Sequence, residues 1–349
     1  MSDSRTTAET QPLGVGIRTI GQYLPERVVT NADLEQMFET SDEWITKNIG
    51  IRSRRFAAEG DTSATMGAKA LLDACNRSGI DPDSVDLVIC GTLTPDVMTP
   101  ATAVAVMRHA GLTQAVAFDV NSGGCAGSVV ALDVAAKFVR SGAYRRVAVV
   151  LADTMTKVFD PTDRMTAVLF GDAAACYLVE PTVPASGIGT TVLRNDPDGF
   201  FSIYISRDPV TDAEGRAVQS GFGQNFARMV GRDVRKFVLE NIPGFVHKLA
   251  KEEGLAPEDL DMLVLHQANR RIVEGIMDAL QLPYDKTSIN VDRLGNTSAA
   301  GAVLALREAV DAGRITPGDR VMLVSFGSGL TTGGVMMRWC GPEDFLAAL

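Results

Sequence analysis

Short, almost continuously apolar runs alternate along the chain with longer stretches in which apolar residues recur every three or four positions. Four of the runs lie at residues 87–90, 147–152, 262–265 and 321–326. Runs of this kind are typical of strands covered on both faces of a sheet. The stretch after Cys125 has apolar residues at helical spacing, at Val129, Leu132, Ala136 and Val139. The pattern therefore predicts an α/β protein built in layers.

An internal repeat predicts two fused halves. The segment "GIDPDSVDLVICGT" (79–92) matches "GLAPEDLDMLVLHQ" (254–267) at an offset of 175 residues. The segment "CAGSVVALDVAAKF" (125–138) matches "AAGAVLALREAVDA" (299–312) at an offset of 174 residues. Two segments that share nearly one offset indicate a duplicated α/β domain. A pseudo-twofold between the halves would bring equivalent strand ends and helix starts together at one central site.

The repeat also suggests how the chain is divided. Residues 1–12 are polar, lack the apolar core of a signal peptide and are expected to form a disordered tail. Residues 13–180 are assigned to the first half and residues 226–349 to the second. Residues 181–225 are polar, rich in turn residues and outside the repeat, so they are interpreted as an insertion of loops or an edge strand.

Composition narrows the class of protein. The 349 residues are 46% hydrophobic and 22% charged, and no apolar run approaches the roughly 18 residues that span a bilayer. The net charge of -10 argues against general nucleic-acid binding. The five cysteines are odd in number and irregularly spaced, which predicts neither a disulfide framework nor a metal site. We therefore expect a cytoplasmic protein without a metal, membrane or nucleic-acid partner.

Cys125 lies among small residues, in "NSGGCAGS", at the start of a predicted helix over 125–141. Unpaired backbone N–H groups and the positive end of the helix dipole favour a thiolate there. Gly123, Gly124 and Ala126 leave room for a substrate to approach. The sequence thus predicts a thiol of lowered pKa that attacks thioesters. The alternative is a structural cysteine at a tight turn.

His266 and Asn296 are the other candidate catalytic residues. His266 directly follows the buried strand 262–265, so we expect it at the carboxyl end of that strand. Asn296 lies in "LGNTSAAG", the repeat counterpart of the turn that carries Cys125. Considered alone, His266 could be a structural histidine and Asn296 could be a helix-capping asparagine. Because the three residues fall at pseudo-symmetric strand and helix ends, the sequence predicts a single site.

A cysteine, a histidine and an asparagine allow two kinds of chemistry. Cysteine proteases use such a set, but on an unrelated scaffold without duplication. Alternatively, His266 and Asn296 both donate hydrogen bonds to one thioester carbonyl, and stabilise the enolate that a malonyl thioester leaves on losing CO2. The carbanion then attacks an acyl group on Cys125. The backbone N–H of Cys125 and a second N–H from "FGSGLTTGG" (326–334) would stabilise the resulting oxyanion.

These residues carry a family resemblance. Over roughly residues 14–340 the chain resembles β-ketoacyl-acyl-carrier-protein synthase III, a family of thiolase-fold condensing enzymes. The matching segments are "YLPERVVTNADLE", "TSDEWITKNIGIRSRRFA", the Cys125 helix start, "DPTDRMT", "FGDAAA", "HQAN", "GNTSAA" and "FGSGLT". The resemblance implies a thiolase fold, with duplicated βαβαβ halves in five αβαβα layers. It implies that Cys125 is the acylated nucleophile and that His266 and Asn296 are the decarboxylation pair.

The resemblance also implies how substrates are held. Trp44 is similar to the ring that stacks on the adenine of CoA, Arg164 to its cationic partner, and Arg271 to a contact for the carrier protein. The implied substrates are acyl-CoA and a malonyl thioester of acyl carrier protein or CoA, with no further cofactor. Family members are homodimers, so we expect a homodimer in which loops of the partner help to close the acyl pocket.

The chain departs from the family pattern at several positions. "DVNSGGC" has one residue more before Cys125 than is usual, and Asn48 stands where an arginine often holds the nucleotide. Ser328 stands where a glycine usually supplies the second oxyanion N–H, so Cys125 and Ser328 are the expected backbone donors. Thr99, assigned with Met98 to the acyl pocket, stands where acetyl-specific relatives can carry an aromatic ring. It suggests room for a longer or branched acyl primer.

A basic stripe is a further departure. Arg232 and Arg235 replace residues that usually line the pantetheine entrance, and they recur with Arg228 and Lys236 at helical spacing. The stripe is either a solvated helix face or a dock for phosphate or an acidic carrier. The residues assigned to CoA or carrier binding are thus Trp44, Arg164, Arg232, Arg235, Lys236 and Arg271.

Three other functions are possible. A non-decarboxylating thiolase would need a second catalytic cysteine, but Cys340 lacks a glycine-rich context, and a non-catalytic subunit would not keep Cys125. The main alternative is an acyltransferase that passes the Cys125-bound acyl group to an alcohol or amine. We expect instead a decarboxylative Claisen condensation that gives a 3-ketoacyl thioester. It would serve fatty-acid initiation or specialised, polyketide-type metabolism.

Overall fold

The structure is a computed structural model. It describes residues 13–37, 39–121, 124–159, 163–205, 210–211, 217–218 and 226–347. The expected tail, residues 1–12, lies outside the described residues, and so do residues 206–209, 212–216 and 219–225 of the expected insertion.

Strands and helices alternate along most of the described chain. The strands are β1 (Gly14–Tyr23), β2 (Arg27–Thr30), β3 (Ser53–Phe56), β4 (Leu87–Gly91), β5 (Val116–Asp119), β6 (Val147–Asp153), β7 (Ala173–Thr182), β8 (Gly187–Asn195), β9 (Ile203–Tyr204), β10 (Val210–Thr211), β11 (Ala217–Val218), β12 (Arg228–Met229), β13 (Met262–Leu265), β14 (Arg320–Gly327) and β15 (Thr331–Arg338). The helices are α1 (Asn31–Glu35), α2 (Asp42–Asn48), α3 (Ser63–Ser78), α4 (Thr102–Ala110), α5 (Gly127–Arg140), α6 (Arg164–Ala167), α7 (Gly231–Glu252), α8 (Arg270–Leu280), α9 (Val291–Leu294) and α10 (Ala299–Asp311).

The main sheet has two halves that repeat one topology. Among the described residues its strand order is β13-β14-β15-β8-β1-β7-β6-β4-β5. In the first half β4 runs parallel to β5 and β6, and β7 is antiparallel to β6 and β1. In the second half β13 and β14 are parallel, and β15 is antiparallel to β14 and β8. The strands β1, β7, β6 and β4 thus correspond to β8, β15, β14 and β13.

The two halves of the sheet meet at a single pair of residues. Val15 of β1 lies opposite Gly187 of β8 in a parallel register. Gly187 has φ +89°, and a Cβ atom there would lie 2.0 Å from the carbonyl oxygen of Val15. Only glycine therefore permits this close junction.

Helices cover the sheet in layers. The central helices α5 and α10 pack between the two halves of the sheet, with Leu132 and Val303 fully buried in the shared core. The outer helices α3 and α4 cover the first half, and α7 and α8 cover the second. A fully buried leucine or valine contributes about 1.5–3 kcal/mol, which explains why both central helices are rich in alanine, valine and leucine. The five-layered αβαβα thiolase fold is confirmed.

The expected insertion at 181–225 is wrong over its first part. β8 lies inside that range and is an interior strand, hydrogen-bonded along Gly187–Asn195 to β15 and joined to β1. Its sequence "GIGTTVLRN" mixes glycine and threonine with one arginine, and most of it is not buried, so it lacks the apolar run that marks the other strands. The second half therefore begins at β8, which corresponds to β1 in the first half. The structural repeat thus includes β1 and β8 as well as the apolar strands.

Candidate active site

One cavity of ≈ 1030 Å³ collects side chains from both halves. Cys125 from the first half and His266 and Asn296 from the second all line it. The pseudo-twofold explains why, because it places the start of α5, the start of α10 and the end of β13 around one point. The wall of the cavity is largely apolar, and Leu93, from the loop after β4, is part of it.

Cys125 lies in a short 3-10 turn, Gly124–Ala126, that leads into α5. The helix proper begins at Gly127, two residues later than predicted. Gly124 permits the turn because its φ is +53° and a Cβ there would lie 2.6 Å from Leu93 Cδ1. The Cys125 carbonyl accepts a hydrogen bond of 2.7 Å from Ser325 Oγ, which ties the turn to β14 of the other half.

Burial in the cavity favours the protonated form of the Cys125 thiol. Its Sγ donates a hydrogen bond of 3.8 Å to Ser298 Oγ. Burial raises the pKa of the thiol to about 12; the Ser298 hydrogen bond opposes the rise and the Asp153 carboxylate adds to it. The predicted lowering of this pKa is therefore wrong, because desolvation by the cavity walls outweighs the helix dipole. Acylation of Cys125 then requires a group that takes the thiol proton.

His266 is held neutral at the end of β13. Its backbone N–H donates to Val324 O over 2.8 Å, which extends the ladder to β14. Its ring packs edge-on against Phe326, with 5.1 Å between the ring centroids. Burial lowers the pKa of the imidazole to about 3, and Nδ1 has no hydrogen-bond partner in the described part of the chain. A neutral imidazole offers one N–H donor and no net charge to a bound thioester.

Asn296 is pinned through its backbone to the first half. Its N–H donates to Leu169 O over 2.8 Å, and its carbonyl accepts from Gly171 N over 3.0 Å. The side-chain Oδ1 accepts a hydrogen bond of 2.9 Å from Ser298 N. This bond leaves Nδ2 as the end of the amide that can donate to a ligand in the cavity.

We expect His266 to make the stability of the protein depend on pH. The pKa of this imidazole is lowered from 6.5 to about 3 on folding, so between these values the unfolded chain binds a proton that the folded chain excludes. Stability is therefore lost as the pH falls from 6.5 toward 3. Relative to His266→Gln, the wild-type protein should lose about 1 kcal/mol more unfolding free energy per pH unit, measured by urea unfolding at pH 6.5 and 5. Equal losses in the two proteins would contradict the lowered pKa.

The expected oxyanion donors lie at the same cavity. Gly327, the last residue of β14, and Ser328 and Gly329, in the turn that follows it, contribute to its lining together with Cys125. The serine at 328 keeps the backbone N–H that a glycine would supply. The pairing of the Cys125 and Ser328 N–H groups stays a prediction.

Only some of the residues assigned to CoA or carrier binding line the cavity. Trp44 and Arg235 line the cavity. The side chain of Arg232 is 90% exposed and forms an ion pair of 3.4 Å with Asp233, and Lys236 is also exposed. Arg232 and Lys236 thus face away from the lining, on the surface of α7 beside it.

Arg164 and Arg271 are not among the described residues that line the cavity. Arg164 Nη1 donates to Glu39 O over 3.0 Å. Arg271 donates to the carbonyl oxygens of Thr46 and Lys47, both over 3.0 Å. Its guanidinium therefore satisfies the C-terminal carbonyl groups of α2, the helix that carries Trp44.

The acyl side of the cavity is lined by apolar residues, one of which is also exposed at the surface. Leu93, Met155 and Phe170 supply apolar wall, and Met98 also lines the cavity while 47% exposed. Thr99 is exposed and is not part of this lining. Its assignment to the acyl pocket stays a prediction that depends on a second protomer.

Sequence reasoning missed Gln267, which positions the catalytic loops. Its fully buried amide donates to Leu265 O (2.8 Å) and Ser288 O (3.1 Å). Its Oε1 accepts from the N–H groups of Asn290 and Val291, the residues that open α9. The amide thus couples the strand end that carries His266 to the helix that precedes Asn296. Its position directly after a strand-end histidine was the available signal.

Two features are absent from the described residues. No group of three or more histidine, cysteine, aspartate or glutamate side chains among them has the arrangement of a metal site. No helix within the same residues has both the length and the apolar character needed to cross a membrane.

The family models and relatives that match this chain all indicate the same class of protein. Two family models match, "3-Oxoacyl-[acyl-carrier-protein (ACP)] synthase III" over residues 118–197 and its C-terminal model over residues 250–339. The chain is 38% identical over 328 residues to the β-ketoacyl-[acyl-carrier-protein] synthase III of Allorhizobium ampelinum, covering 93% of this chain and 98% of that protein.

Solved structures agree with this class. The β-ketoacyl-[acyl carrier protein] synthase III of Thermus thermophilus superimposes with a TM-score of 0.88 at 40% identity, covering 93% of this chain and 99% of that one. The priming β-ketosynthase of the R1128 polyketide biosynthetic pathway superimposes with a TM-score of 0.86 at 32% identity, covering 95% and 98%. Fold and site thus define a thiolase-fold condensing enzyme. The chain belongs to the 3-oxoacyl-[acyl-carrier-protein] synthase III family.

Proposed function

We propose that the protein condenses an acyl group from acyl-CoA with a malonyl thioester. Cys125 Sγ attacks the acyl-CoA carbonyl, which releases CoA and leaves an acyl-enzyme. The malonyl thioester then loses CO2, and its enolate carbon attacks the acyl-enzyme to give a 3-ketoacyl thioester and free Cys125. The observation that carries the proposal is the single cavity lined by the thiol, the neutral imidazole of His266 and the amide of Asn296.

The two donors suit the decarboxylation step. The enolate oxygen carries more negative charge than the thioester carbonyl, so preorganised N–H donors lower the barrier, by about 3 kcal/mol each. His266 is fixed by β13 and Phe326, and the Asn296 amide by Ser298 N–H, so neither must reorganise as charge develops. An acyltransferase that used an alcohol or amine would form no enolate for Asn296 to stabilise.

The cavity entrance suits a phosphopantetheine thioester. Trp44 offers an aromatic face, and Arg228 and Arg235 bring positive charge to the lining of a protein whose net charge is -10. Arg232 and Lys236 extend this charge over the exposed face of α7. We assign the stripe to CoA phosphates or to an acidic carrier protein, because a local positive patch attracts such ligands to an acidic protein.

A homodimer would complete the acyl pocket. The edge strand β5 exposes Val116, and the neighbouring segment exposes Val97, Met98 and Val104, each by 43–49%. An apolar sheet edge of this kind favours pairing with a second copy. Such a partner would cover Met98 and bring its own Thr99 toward the cavity.

The reaction as proposed needs only the two thioesters, because the thiol and the hydrogen-bond donors supply its chemistry without a cofactor. All five cysteines are unpaired, which fits the reducing cytoplasm as the compartment. We favour starter acyl groups longer or more branched than acetyl, since Thr99 is small. With starter acyl groups of this kind, polyketide-type priming is as suitable a role for the protein as fatty-acid initiation.

A panel of acyl-CoAs tests the proposal by intact-protein mass spectrometry. We expect the wild-type protein to accept branched and medium-length acyl groups, and malonyl-carrier or malonyl-CoA to discharge the adduct as a 3-ketoacyl thioester. Thr99→Phe should narrow the panel toward acetyl, with loading of longer chains reduced about tenfold or more. An adduct that malonyl thioesters cannot discharge, while an alcohol or amine can, would contradict the condensation and indicate an acyltransferase.

A further inference from the structure

The backbone of Ser298 has a conformation that normally requires glycine. Ser298 directly precedes α10, with φ +55° and ψ −132°. These angles resemble those of the first central residue of a type II′ turn, where glycine dominates because a Cβ atom is strained. Capping of α10 does not explain the serine, since its side chain makes no capping hydrogen bond. Backbone strain of this kind concentrates at functional sites.

Ser298 contacts two of the candidate catalytic residues. Its Oγ accepts a hydrogen bond from Cys125 Sγ over 3.8 Å, and its backbone N–H donates to Asn296 Oδ1 over 2.9 Å. Ser298 is fully buried, so bulk water does not compete for either contact. The hydroxyl is thus the part of Ser298 that meets the nucleophile, and a glycine at this position would lack it.

The proposed condensation forms a thiolate at Cys125 in every turnover. When the malonyl group loses CO2, the electron pair of the broken C–C bond stays on the enolate, and no proton is released. The enolate carbon then bonds to the acyl carbon, the bond from that carbon to Sγ breaks, and its electron pair stays on Sγ. Burial disfavours a thiolate at this position. A hydrogen-bond donor beside Sγ would therefore assist the reaction.

We propose that Ser298 is a further catalytic residue, whose hydroxyl donates a hydrogen bond to the Cys125 thiolate. A serine hydroxyl both donates and accepts. Rotation about the Cβ–Oγ bond turns it from the acceptor of the thiol hydrogen bond into a donor when Sγ becomes charged. A hydrogen bond to an ionised group is roughly twice as strong as one between neutral groups. This inference rests on the proposed function.

Loading of acyl-CoA uses the same contact. As Sγ bonds to the acyl carbon, the C–S bond to CoA breaks and its electron pair stays on the sulfur of CoA. When Cys125 starts as the thiolate, the CoA thiolate takes a proton from water. When Cys125 starts as the thiol, the Sγ proton passes to the departing sulfur of CoA. In both cases Sγ is more nucleophilic if the hydroxyl stabilises negative charge on it.

Ser298→Gly gives the sharpest test, because the expected effects on rate and on stability have opposite signs. Glycine adopts φ +55° without strain and keeps the N–H that holds Asn296, so only the hydroxyl is lost. We expect the thermal unfolding midpoint to equal or exceed that of the wild type. Loading from acyl-CoA should slow about threefold to tenfold, because the thiolate fraction falls about tenfold and higher nucleophilicity offsets part of the loss.

Two measurements follow the effect on Cys125. Quenched-flow mass spectrometry at pH 7 gives the rate of acyl loading. Alkylation by iodoacetamide at pH 8, with peptide mapping to Cys125, reports the thiolate without any thioester, and it should slow by a similar factor in Ser298→Gly. Ser298→Ala removes the hydroxyl but keeps the strained backbone, so we expect it to slow both reactions as Ser298→Gly does.

Release of CO2 separates the hydroxyl from the positioning of Asn296. No thiolate forms in Cys125→Ala, so adding Ser298→Gly to that variant should change CO2 release from malonyl thioester by less than about twofold. A larger fall would overturn the proposal, because Ser298 would then act through Asn296.

Ala185→Gly is the matched control for backbone strain. Ala185 is exposed, has φ +71° and lies outside the cavity lining. We expect Ala185→Gly to keep the wild-type rates of loading and alkylation.

Three results would overturn the proposal. The first is unchanged loading and alkylation in Ser298→Gly, and the second is slowing in Ser298→Gly but not in Ser298→Ala. The third is slowing in Ser298→Gly together with a lowered unfolding midpoint, because the serine would then serve the fold. Failure of the proposed function looks different. In that case the wild-type protein would take up no acyl group, while alkylation of Cys125 would still be slower in Ser298→Gly.

Discussion

Cys125→Ala should abolish acyl loading. With no nucleophile, the acyl-CoA carbonyl has nothing to attack it in the cavity, and we expect the rate of adduct formation to fall about 10⁴-fold or more. The measurement is the mass of the intact protein after incubation with acyl-CoA, followed by peptide mapping. The adduct of the wild-type protein should map to the peptide that contains Cys125.

A second thiol provides the matched control. Cys340 is the other cysteine that is not fully buried, and it lies outside the cavity lining. Cys340→Ala should load acyl groups at the wild-type rate. An adduct that survives in Cys125→Ala and disappears in Cys340→Ala would contradict the assignment of the nucleophile.

His266→Ala and Asn296→Ala should each keep loading and lose decarboxylation. Each substitution removes one donor to the enolate oxygen, which costs about 10²–10³-fold in the rate of CO2 release. Loading should change little, because neither side chain contacts the Cys125 thiol. The measurements are acyl-adduct formation by mass spectrometry and release of labelled CO2 from malonyl thioester.

Two exposed residues of α7 serve as controls of the same type. His247→Ala and Asn241→Ala should behave as wild type in both assays, since both side chains are on the surface. If His266→Ala instead lost loading and kept CO2 release, His266 would be the base that activates Cys125. The assignment of the decarboxylation pair would then be wrong.

The layered fold was predictable because the sequence repeats it. Buried strands such as 147–152 and 321–326 are continuous apolar runs, and their offset matches that of the central helices. β8 was missed because its residues are mostly not buried, so its pairing with β15 and β1 leaves no apolar periodicity in the sequence. Strand assignment from hydrophobicity fails wherever backbone pairing, rather than side-chain burial, holds the strand.

The sequence allowed us to predict which residues meet at the cavity, but not the pKa values of their side chains. Strand ends and helix starts placed Cys125, His266 and Asn296 from the repeat. The pKa values of the thiol and the imidazole depend on burial by distant parts of the chain, which no local pattern reveals. The same holds for Arg271, whose helix-capping contacts to α2 join residues far apart in the sequence.

The central claim is that His266 and Asn296 both donate hydrogen bonds to the carbonyl oxygen of the malonyl thioester. A crystal structure with a non-hydrolysable malonyl thioester analogue tests this claim most directly. We expect the thioester carbonyl oxygen to lie within about 3.2 Å of both an imidazole nitrogen of His266 and Nδ2 of Asn296, with the carbon between the two carbonyl groups facing Cys125 Sγ. A carbonyl oxygen that reaches only one of the two donors, or an analogue bound outside this cavity, would contradict it.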